Sequence, residues 1–270
     1  MTQIASAGVR LHIEEAGEGP PLLLLHELGS DARQWRGQLD GLSGRFRCIA
    51  PSARGYPPSD VPPDEDAYLW ERQVADALAV LDGLALQRAA VVGWSMGAYT
   101  ALQLARLHPD RVTAVVAAGV GSGSPAADQP EFRAGMRALA GLWEHDPVAA
   151  ARQMAEGPTR QALRRRRPQA WAAWLADLAT HDPAGMARTC RNFQALRPSL
   201  QAFDFAAVEV PVLLLVGDED APCLEATHWL ASALPRSRLV VLAQTGHAPS
   251  LEDPETFNRL VGDFLLEQAS

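Results

Sequence analysis

A serine between two glycines is the feature of this sequence that most clearly could carry out chemistry. Residues 93–97 read Gly-Trp-Ser-Met-Gly; they follow an apolar run at 89–92 and precede a helical pattern that begins at Ala98. A strand that meets a helix so abruptly must turn sharply, and glycine permits the crowding because it lacks a Cβ. Such a turn places the Ser95 hydroxyl above the sheet edge, at the N-terminus of the next helix. We therefore predict that Ser95 is a nucleophile.

A serine hydroxyl is a weak nucleophile at neutral pH and needs a base within hydrogen-bond reach. Among the seven histidines, His247 stands in a loop just after the last predicted strand. A loop there lies at the carboxyl edge of the sheet, the same edge as Ser95, so we predict that His247 is the base. Five others are expected in an edge strand, at a helix end or within helices, and we interpret them as structural: His12, His108, His145, His181 and His228.

The base in turn needs a carboxylate that fixes its tautomer and stabilises the imidazolium. The apolar run 210–216 is followed by Gly217 and then by three acidic residues at 218–220. The chain order Ser, acid, His is the order expected of this arrangement. We choose Asp220, the third residue after Gly217, as the acid and place Asp218 second. The competing interpretation of Asp220 is an N-cap for the helix that begins at Ala221.

The oxyanion that forms when a serine attacks a carbonyl needs two backbone N–H donors. One belongs to Met96, the residue after the nucleophile. The other is expected from Leu28, in the loop after the early apolar run 22–25. Together these residues predict acyl transfer to Ser95, a reaction for which we expect neither a metal nor an organic cofactor.

Alternating strand and helix patterns must position these residues. They predict an α/β fold, with a mostly parallel, doubly wound sheet covered by helices on both faces. Strands are predicted at 9–15 (an edge strand), 22–25, 46–50, 89–93, 112–120, 210–216 and 239–242. Helices are predicted at 31–42 (capped by Ser30), 68–84, 98–107, 221–233 and 254–268.

One long stretch breaks this alternation, because it reads as several helices in a row. We expect residues 122–207 to form a helical cap over the carboxyl edge of the sheet, and residues 1–121 and 208–270 to form the α/β core. The cap carries tryptophans that suit an apolar substrate pocket, although packing of the cap onto the sheet is expected to explain at least one of them. These are Trp143, Trp171 and Trp174.

The overall charge disfavours two classes of partner. The formal net charge is −8 at pH 7, so we expect no nucleic-acid partner and no attraction to anionic lipid.

No apolar run approaches the ~18 residues of a membrane span, and the first ten residues lack a signal-peptide pattern, so we expect a cytoplasmic protein. The three cysteines, Cys48, Cys190 and Cys223, are too widely spaced to indicate a disulfide framework or a metal cluster.

A run of four arginines at 164–167 stands out against this acidic background. It suits either an anion site or a solvated helix face, and we favour the helix face.

The chain resembles the α/β-hydrolase superfamily over nearly its whole length. The resemblance rests on five segments: 25–29 (Leu-His-Glu-Leu-Gly), 53–56 (Ala-Arg-Gly-Tyr), 93–97, 217–220 (Gly-Asp-Glu-Asp) and 246–247 (Gly-His). Within the superfamily it is most similar to small bacterial esterases and lactonases, including enol-lactonases of aromatic catabolism. The resemblance implies Asp220 as the acid, and Leu28 and Met96 as the oxyanion donors.

The sequence departs from that family in two places. Relatives usually have His-Gly where this chain has His26-Glu27, and an aspartate where it has Ser52. Glu27 is interpreted either as an extra acid or polar substrate contact, or as a carboxylate paired with an arginine such as Arg54. We favour the pairing, because a buried carboxylate needs a partner.

These residues predict a serine hydrolase that cleaves a small carboxylic ester or lactone, with substrate contacts from Glu27, Trp94 and Trp143. One alternative keeps the same residues and hydrolyses a carbon–carbon bond of a vinylogous diketone. Another is a protein on this fold that binds a small ligand without catalysis. Haloalkane dehalogenase and epoxide hydrolase are disfavoured, because both are expected to use an aspartate where Ser95 stands.

Overall fold

The computed structural model describes residues 2–269, and these contain one sheet of eight strands. The strands are β1 Thr2–Ser6, β2 Val9–Ala16, β3 Pro21–Leu25, β4 Arg47–Pro51, β5 Ala89–Trp94, β6 Val112–Ala118, β7 Val212–Gly217 and β8 Ser237–Leu242. Their order in the sheet is β1-β2-β4-β3-β5-β6-β7-β8. β2 runs antiparallel to β1 and β4, and all other neighbours are parallel.

Helices cover both faces of this sheet. They are α1 Arg36–Leu42, α2 Trp70–Gly83, α3 Met96–Leu107, α4 Gln129–His145, α5 Pro147–Glu156, α6 Gln161–Arg166, α7 Pro168–Leu178, α8 Pro183–Arg188, α9 Ala221–Ala233, α10 Pro249–Glu252 and α11 Pro254–Ala269. Alternate residues of β3 enter different cores: Leu22 and Leu24 pack with α1 and α11, whereas Leu23 and Leu25 pack with α2 and α3. The predicted α/β fold with a doubly wound sheet is confirmed.

The edge of the sheet differs from the prediction. The strand predicted at 9–15 is β2, which lies second in the sheet because β1 pairs with its outer side. β1 is short and carries little apolar character, so its sequence signal was weak. The two residues between the strands, Ala7 and Gly8, both have positive φ, as a tight hairpin turn requires.

The start of the first helix also differs from the prediction. Residues 32–35 form a 3-10 turn before α1, and its cap is Asp31, whose carboxylate accepts a hydrogen bond from the Arg33 N–H at 2.8 Å. Ser30, the predicted cap, instead accepts a hydrogen bond from Trp174 Nε1 at 3.0 Å. Ser30 thus joins the sheet to the helices that follow β6.

Five helices, α4 to α8, lie in succession between β6 and β7, where the sequence predicted an all-helical stretch. A π-helical turn at Thr189–Gln194 follows α8. None of the helices within residues 2–269 is long and apolar enough to cross a membrane.

The parallel register brings four loops together at one edge. Leu25 at the end of β3 pairs with Gly93 of β5, Trp94 pairs with Ala118 of β6, and Ala118 pairs with Leu215 of β7. Since β7 in turn pairs with β8 in parallel, the loops that follow β3, β5, β7 and β8 leave the sheet on the same side. These are the loops that carry the predicted site residues.

Candidate active site

Ser95 stands at the sharp turn between β5 and α3. Its backbone has φ 53° and ψ −109°, a positive φ that side-chain-bearing residues rarely adopt. The chain can pass so closely only because both flanking glycines lack a side chain. A Cβ at Gly93 would lie 2.3 Å from the Gly97 carbonyl oxygen, and one at Gly97 would lie 2.0 Å from the Leu25 carbonyl oxygen. The strained turn thus places the Ser95 hydroxyl at the edge of the sheet where the loops after β3, β5, β7 and β8 meet.

Asp220 and His247 form a buried hydrogen-bonded pair. Asp220 Oδ2 lies 2.9 Å from His247 Nδ1, and both side chains are at most 5% exposed. Although Asp220 occupies the residue before α9, its side chain makes no capping hydrogen bond. Asp218, the second choice, is exposed and accepts a hydrogen bond from the Thr245 N–H at 3.1 Å. The geometry therefore favours Asp220 as the partner of the imidazole.

The surroundings of His247 favour its protonated form. Burial lowers the pKa of His247, but the charge of Asp220 and the hydrogen bond to it outweigh burial, so the pKa lies well above its ordinary value. An imidazole that acts as a base has to be neutral first. For the predicted base, the pH at which the site works would therefore depend on the pKa of His247.

Ser95 and His247 line the same cavity. No hydrogen bond joins Ser95 Oγ to His247 Nε2 in the described chain; the nearest carboxylate oxygen to that nitrogen is Glu27 Oε2, at 3.9 Å. Hydrogen bonds of this kind often tighten only when a substrate binds. The structure thus brings the serine and the histidine to one cavity without closing the bond between them.

The predicted oxyanion donors lie at the same place. Leu28 and Met96 both line the cavity with Ser95. Their backbone N–H groups take part in none of the hydrogen bonds formed by residues 2–269. Both donors are therefore free to bind a negatively charged oxygen beside Ser95.

The cavity itself is small and mostly apolar. Its volume is about 220 Å³, below the roughly 300–1,000 Å³ of pockets for drug-sized ligands. α4 contributes Phe132, Met136 and Leu139 to its wall, and α5 contributes Met154. The helical segment therefore supplies much of the surface that a substrate would contact.

Glu27 does have an arginine partner, but the partner is not Arg54. Arg54 forms a two-bonded pair with Asp76, at 2.6 and 2.7 Å. Glu27 instead pairs with Arg160, from the stretch between α5 and α6. Burial raises the pKa of the Glu27 carboxyl, opposed by the charges of Arg160 and His247. Arg160 comes from a part of the chain where no sequence pattern marked a site residue.

Arg160 is held between two indole rings. Its guanidinium carbon lies 4.3 Å from the Trp174 ring centre and 5.5 Å from that of Trp94. Cation–π contacts of this kind stabilise a charge that has been removed from water. The Glu27–Arg160 pair thus forms a buried polar part of the cavity wall.

Two residues predicted to contact substrate lie elsewhere. Trp94 is completely buried, and its Nε1 donates a hydrogen bond to the His247 carbonyl oxygen. Trp143 is also buried and packs in the apolar core. Neither side chain lines the cavity. The structure gives no support to substrate contact at either position, because large aromatic residues indicate burial without showing what covers them.

The arginine run joins the helical segment to the site loops. Arg165 pairs with Glu219 at 2.7 Å, and Arg166 donates hydrogen bonds to Gln244 and Thr245 at 2.7 and 3.0 Å. These acceptors adjoin Asp220 and His247 in the sequence. The run is largely exposed, as expected of the solvated helix face that the sequence analysis favoured. Two of its members nevertheless hold α6 against the loops that carry the predicted acid and base.

One group of side chains within residues 2–269 has the composition and spacing of a metal site. Ligand atoms of Asp220, Cys223 and His247 lie within 4.8 Å of one another. The cysteine pattern had not indicated this proximity, and all three cysteines are free thiols. Since Asp220 and His247 are already bonded to each other, a metal here would have to break that bond.

Comparison with known proteins shows that this chain is similar to hydrolases. A family model described as alpha/beta hydrolase fold matches residues 20–254. The 2-hydroxymuconate semialdehyde hydrolase of Pseudomonas putida is 32% identical over 98% of this chain and 94% of its own length. An esterase from Thermogutta terrifontis has a TM-score of 0.89 and 26% identity, covering 100% of this chain and 99% of its own. The enol-lactonase of Burkholderia xenovorans has a TM-score of 0.86 and 26% identity, covering 98% and 100%.

Proposed function

Because the chain belongs to the alpha/beta hydrolase fold family, we propose that it is a serine hydrolase that cleaves a small carboxylic ester or lactone through an acyl-enzyme intermediate. The observation that carries the proposal is the 2.9 Å hydrogen bond between Asp220 and His247, at a cavity that Ser95 also lines. A ligand-binding protein would have no need of this alignment. The similarity to an esterase and to an enol-lactonase supports the same reaction class.

The proposed reaction begins at Ser95. Its oxygen attacks the carbonyl carbon while His247 Nε2 takes the hydroxyl proton, and Asp220 stabilises the imidazolium through Nδ1. The N–H groups of Leu28 and Met96 hold the oxyanion, and each such donor is worth about 3 kcal/mol of barrier. His247 then protonates the leaving alcohol. Water, deprotonated by the same nitrogen, releases the acid from Ser95.

We propose that residues 122–207 act as a cap domain over a core of residues 1–121 and 208–270. The cavity supports this division, because its floor comes from the loops of the sheet and its wall from α4, α5 and the stretch around Arg160. Its size suits a small substrate.

Turnover and labelling test the proposal together. We would assay p-nitrophenyl esters of increasing acyl length and a set of lactones, and label the protein with a fluorophosphonate. We expect hydrolysis of at least one substrate, with labelling and turnover both lost in Ser95→Ala. Ser122→Ala, which changes another serine of the cavity wall, is expected to retain both. Absence of all turnover, or labelling that persists in Ser95→Ala, would contradict the proposal.

A second candidate reaction is hydrolysis of a carbon–carbon bond in a vinylogous diketone. It draws support from the 32% identity to 2-hydroxymuconate semialdehyde hydrolase over 98% of the chain. The same assay decides between the two, with a vinylogous 1,5-diketone beside the esters. A value of kcat/KM for the diketone far above that of every ester and lactone would favour the second reaction.

A further inference from the structure

Arg197 is a buried cation in the wall of the proposed active-site cavity. It follows the π-helical turn Thr189–Gln194, is 8% exposed, and lines the cavity together with Ser95 and His247. The mechanism proposed above assigns it no role.

The bonds that hold Arg197 in place leave its charge uncompensated. Its Nε donates to Gln194 Oε1 at 3.2 Å and its Nη2 donates to the Ser122 carbonyl oxygen at 2.7 Å. Both acceptors are neutral. The guanidinium carbon also lies 5.0 Å from the ring centres of Tyr99 and Phe132. These contacts fix the orientation of the guanidinium, and Nη1 forms no hydrogen bond within residues 2–269.

The other buried arginines differ from Arg197 in one respect. Arg54 is paired with Asp76 and Arg160 with Glu27, whereas Arg197 belongs to no ion pair of the described residues. A second cation, Arg133, adds to the unfavourable electrostatics of Arg197 and is also outside every described ion pair. Burial lowers the pKa of Arg197, opposed by Tyr99 and Cys223.

A buried charge without a counter-ion is destabilising, and the cost is removed when an anion binds beside it. The carboxylate of Glu27 is already bound to Arg160 on the cavity wall, and that of Asp220 is bound to His247. Both carboxylates of the cavity wall therefore have other partners, and Arg197 keeps a guanidinium edge that can donate charge-assisted hydrogen bonds to an incoming anion.

We propose that Arg197 binds a free carboxylate of the substrate, so that the enzyme acts on esters or lactones that carry one negative charge. This inference rests on the proposed hydrolase function. A single uncompensated charge matches a monoanion, and a cavity of about 220 Å³ suits a short chain between the carboxylate and the scissile carbonyl. Arg197 is thus a specificity-determining residue.

A matched pair of substrates tests the proposal: mono(4-nitrophenyl) succinate, which has a free carboxylate, and its methyl ester, which is neutral. The measured quantity is the ratio of kcat/KM for the charged ester to that for the neutral ester. We expect the wild-type ratio to exceed one, and Arg197→Gln to lower it about 10- to 100-fold.

Arg197→Lys, which keeps the charge, is expected to recover part of the ratio. Arg137→Gln, an exposed arginine of α4 outside the cavity, serves as the matched control and is expected to leave the ratio within about twofold.

A purely structural role for Arg197 would lower both rates equally and leave the ratio unchanged, and that result would overturn the proposal. A wild-type ratio at or below one would also overturn it. If Arg197→Gln does not fold, inhibition of the wild type decides: glutaramate, the monoamide with one carboxylate, should inhibit hydrolysis of the neutral ester at a concentration at least tenfold below that of the neutral diamide glutaramide, and equal inhibition would overturn the proposal. Should the wild type hydrolyse neither ester and no other ester or lactone, the proposed function fails, whereas turnover without charge preference removes only the role of Arg197.

Discussion

Glu27 Oε2 lies 3.9 Å from His247 Nε2, so each nitrogen of the imidazole ring has a carboxylate near it. Asp220 bonds to Nδ1, and Glu27 stands beside the nitrogen that has to accept the serine proton. Glu27 is itself bound to Arg160. The proposed base therefore lies in a buried network of charges whose members affect its protonation.

The pH dependence of catalysis should report this network. His247 has to be neutral to act, and its pKa lies well above the ordinary value, so kcat/KM should fall as pH decreases through that raised pKa. Glu27→Gln removes a negative charge near the ring and leaves the positive charge of Arg160 unpaired. Both changes disfavour the imidazolium, so the acid limb should move to lower pH by about one unit.

The measurement is a kcat/KM profile across the pH range of stability. Glu219→Gln serves as a control, because it removes an exposed carboxylate of the nearby loop, and should leave the limb in place. A limb that stays in place in Glu27→Gln would show that Glu27 does not affect the base, and a limb that moves upward would contradict the expected sign of the effect.

The two acidic candidates of the loop after β7 should differ sharply in their effect on kcat. Asp220→Asn keeps the shape of the side chain but loses the charge and favours the wrong tautomer of His247, so kcat should fall about 10³- to 10⁴-fold. Asp218→Asn weakens contacts to neighbouring backbone N–H groups, among them that of Thr245, and should change kcat by less than about threefold. Steady-state kinetics with an ester substrate measures both, and equal losses would reject Asp220 as the orienting acid.

The buried pair of Arg54 and Asp76 should contribute strongly to stability. Both side chains are at most 8% exposed, so Asp76→Asn leaves a buried guanidinium without its counter-ion. The free energy of unfolding should fall by about 3–5 kcal/mol. Asp60→Asn disrupts the pair with Arg10, whose side chain is 66% exposed, and should cost at most about 1 kcal/mol. Urea unfolding of both variants tests the contrast, and similar losses would contradict it.

The glycines of the serine turn should be irreplaceable, unlike those of α4. In Gly97→Ala the new methyl group would lie 2.0 Å from a backbone oxygen of β3, and backbone cannot move aside cheaply, so we expect loss of folded protein or of activity. A Cβ at Gly141 meets nothing within 4 Å. Gly141→Ala should therefore stabilise the protein by about 0.5–1 kcal/mol. Thermal unfolding and ester hydrolysis measure both, and an active, stable Gly97→Ala would disprove the close approach.

Local patterns were enough to predict seven of the eight described strands and the places of the proposed chemistry. The apolar run 22–25 needs burial on both faces wherever it lies, and it became the central strand β3. The turn around Ser95 depends on contacts among residues close to it in the chain and on one neighbouring strand. Parallel strands end at the same edge, so a loop position in the sequence already places a residue near that edge.

The weak signals show where such reasoning fails. β1 is short and little buried on its outer side, and only its pairing with β2 makes it a strand. Trp94 and Trp143 are apolar enough to predict burial, but the sequence does not say whether a ligand or protein buries them. Packing assigned Trp94 to the His247 loop and Trp143 to the core.

The sequence by itself determined the α/β fold, the strained serine turn, and the loops in which an acid and a histidine follow the last two strands, because each depends on the properties of a few neighbouring residues. Only the tertiary structure decided that Glu27 binds Arg160 rather than Arg54, and that Arg197 faces the cavity without a counter-ion among residues 2–269. Partners separated by 133 residues meet only when the helical segment packs over the sheet. The choice of partner among many arginines of the same charge depends on that packing.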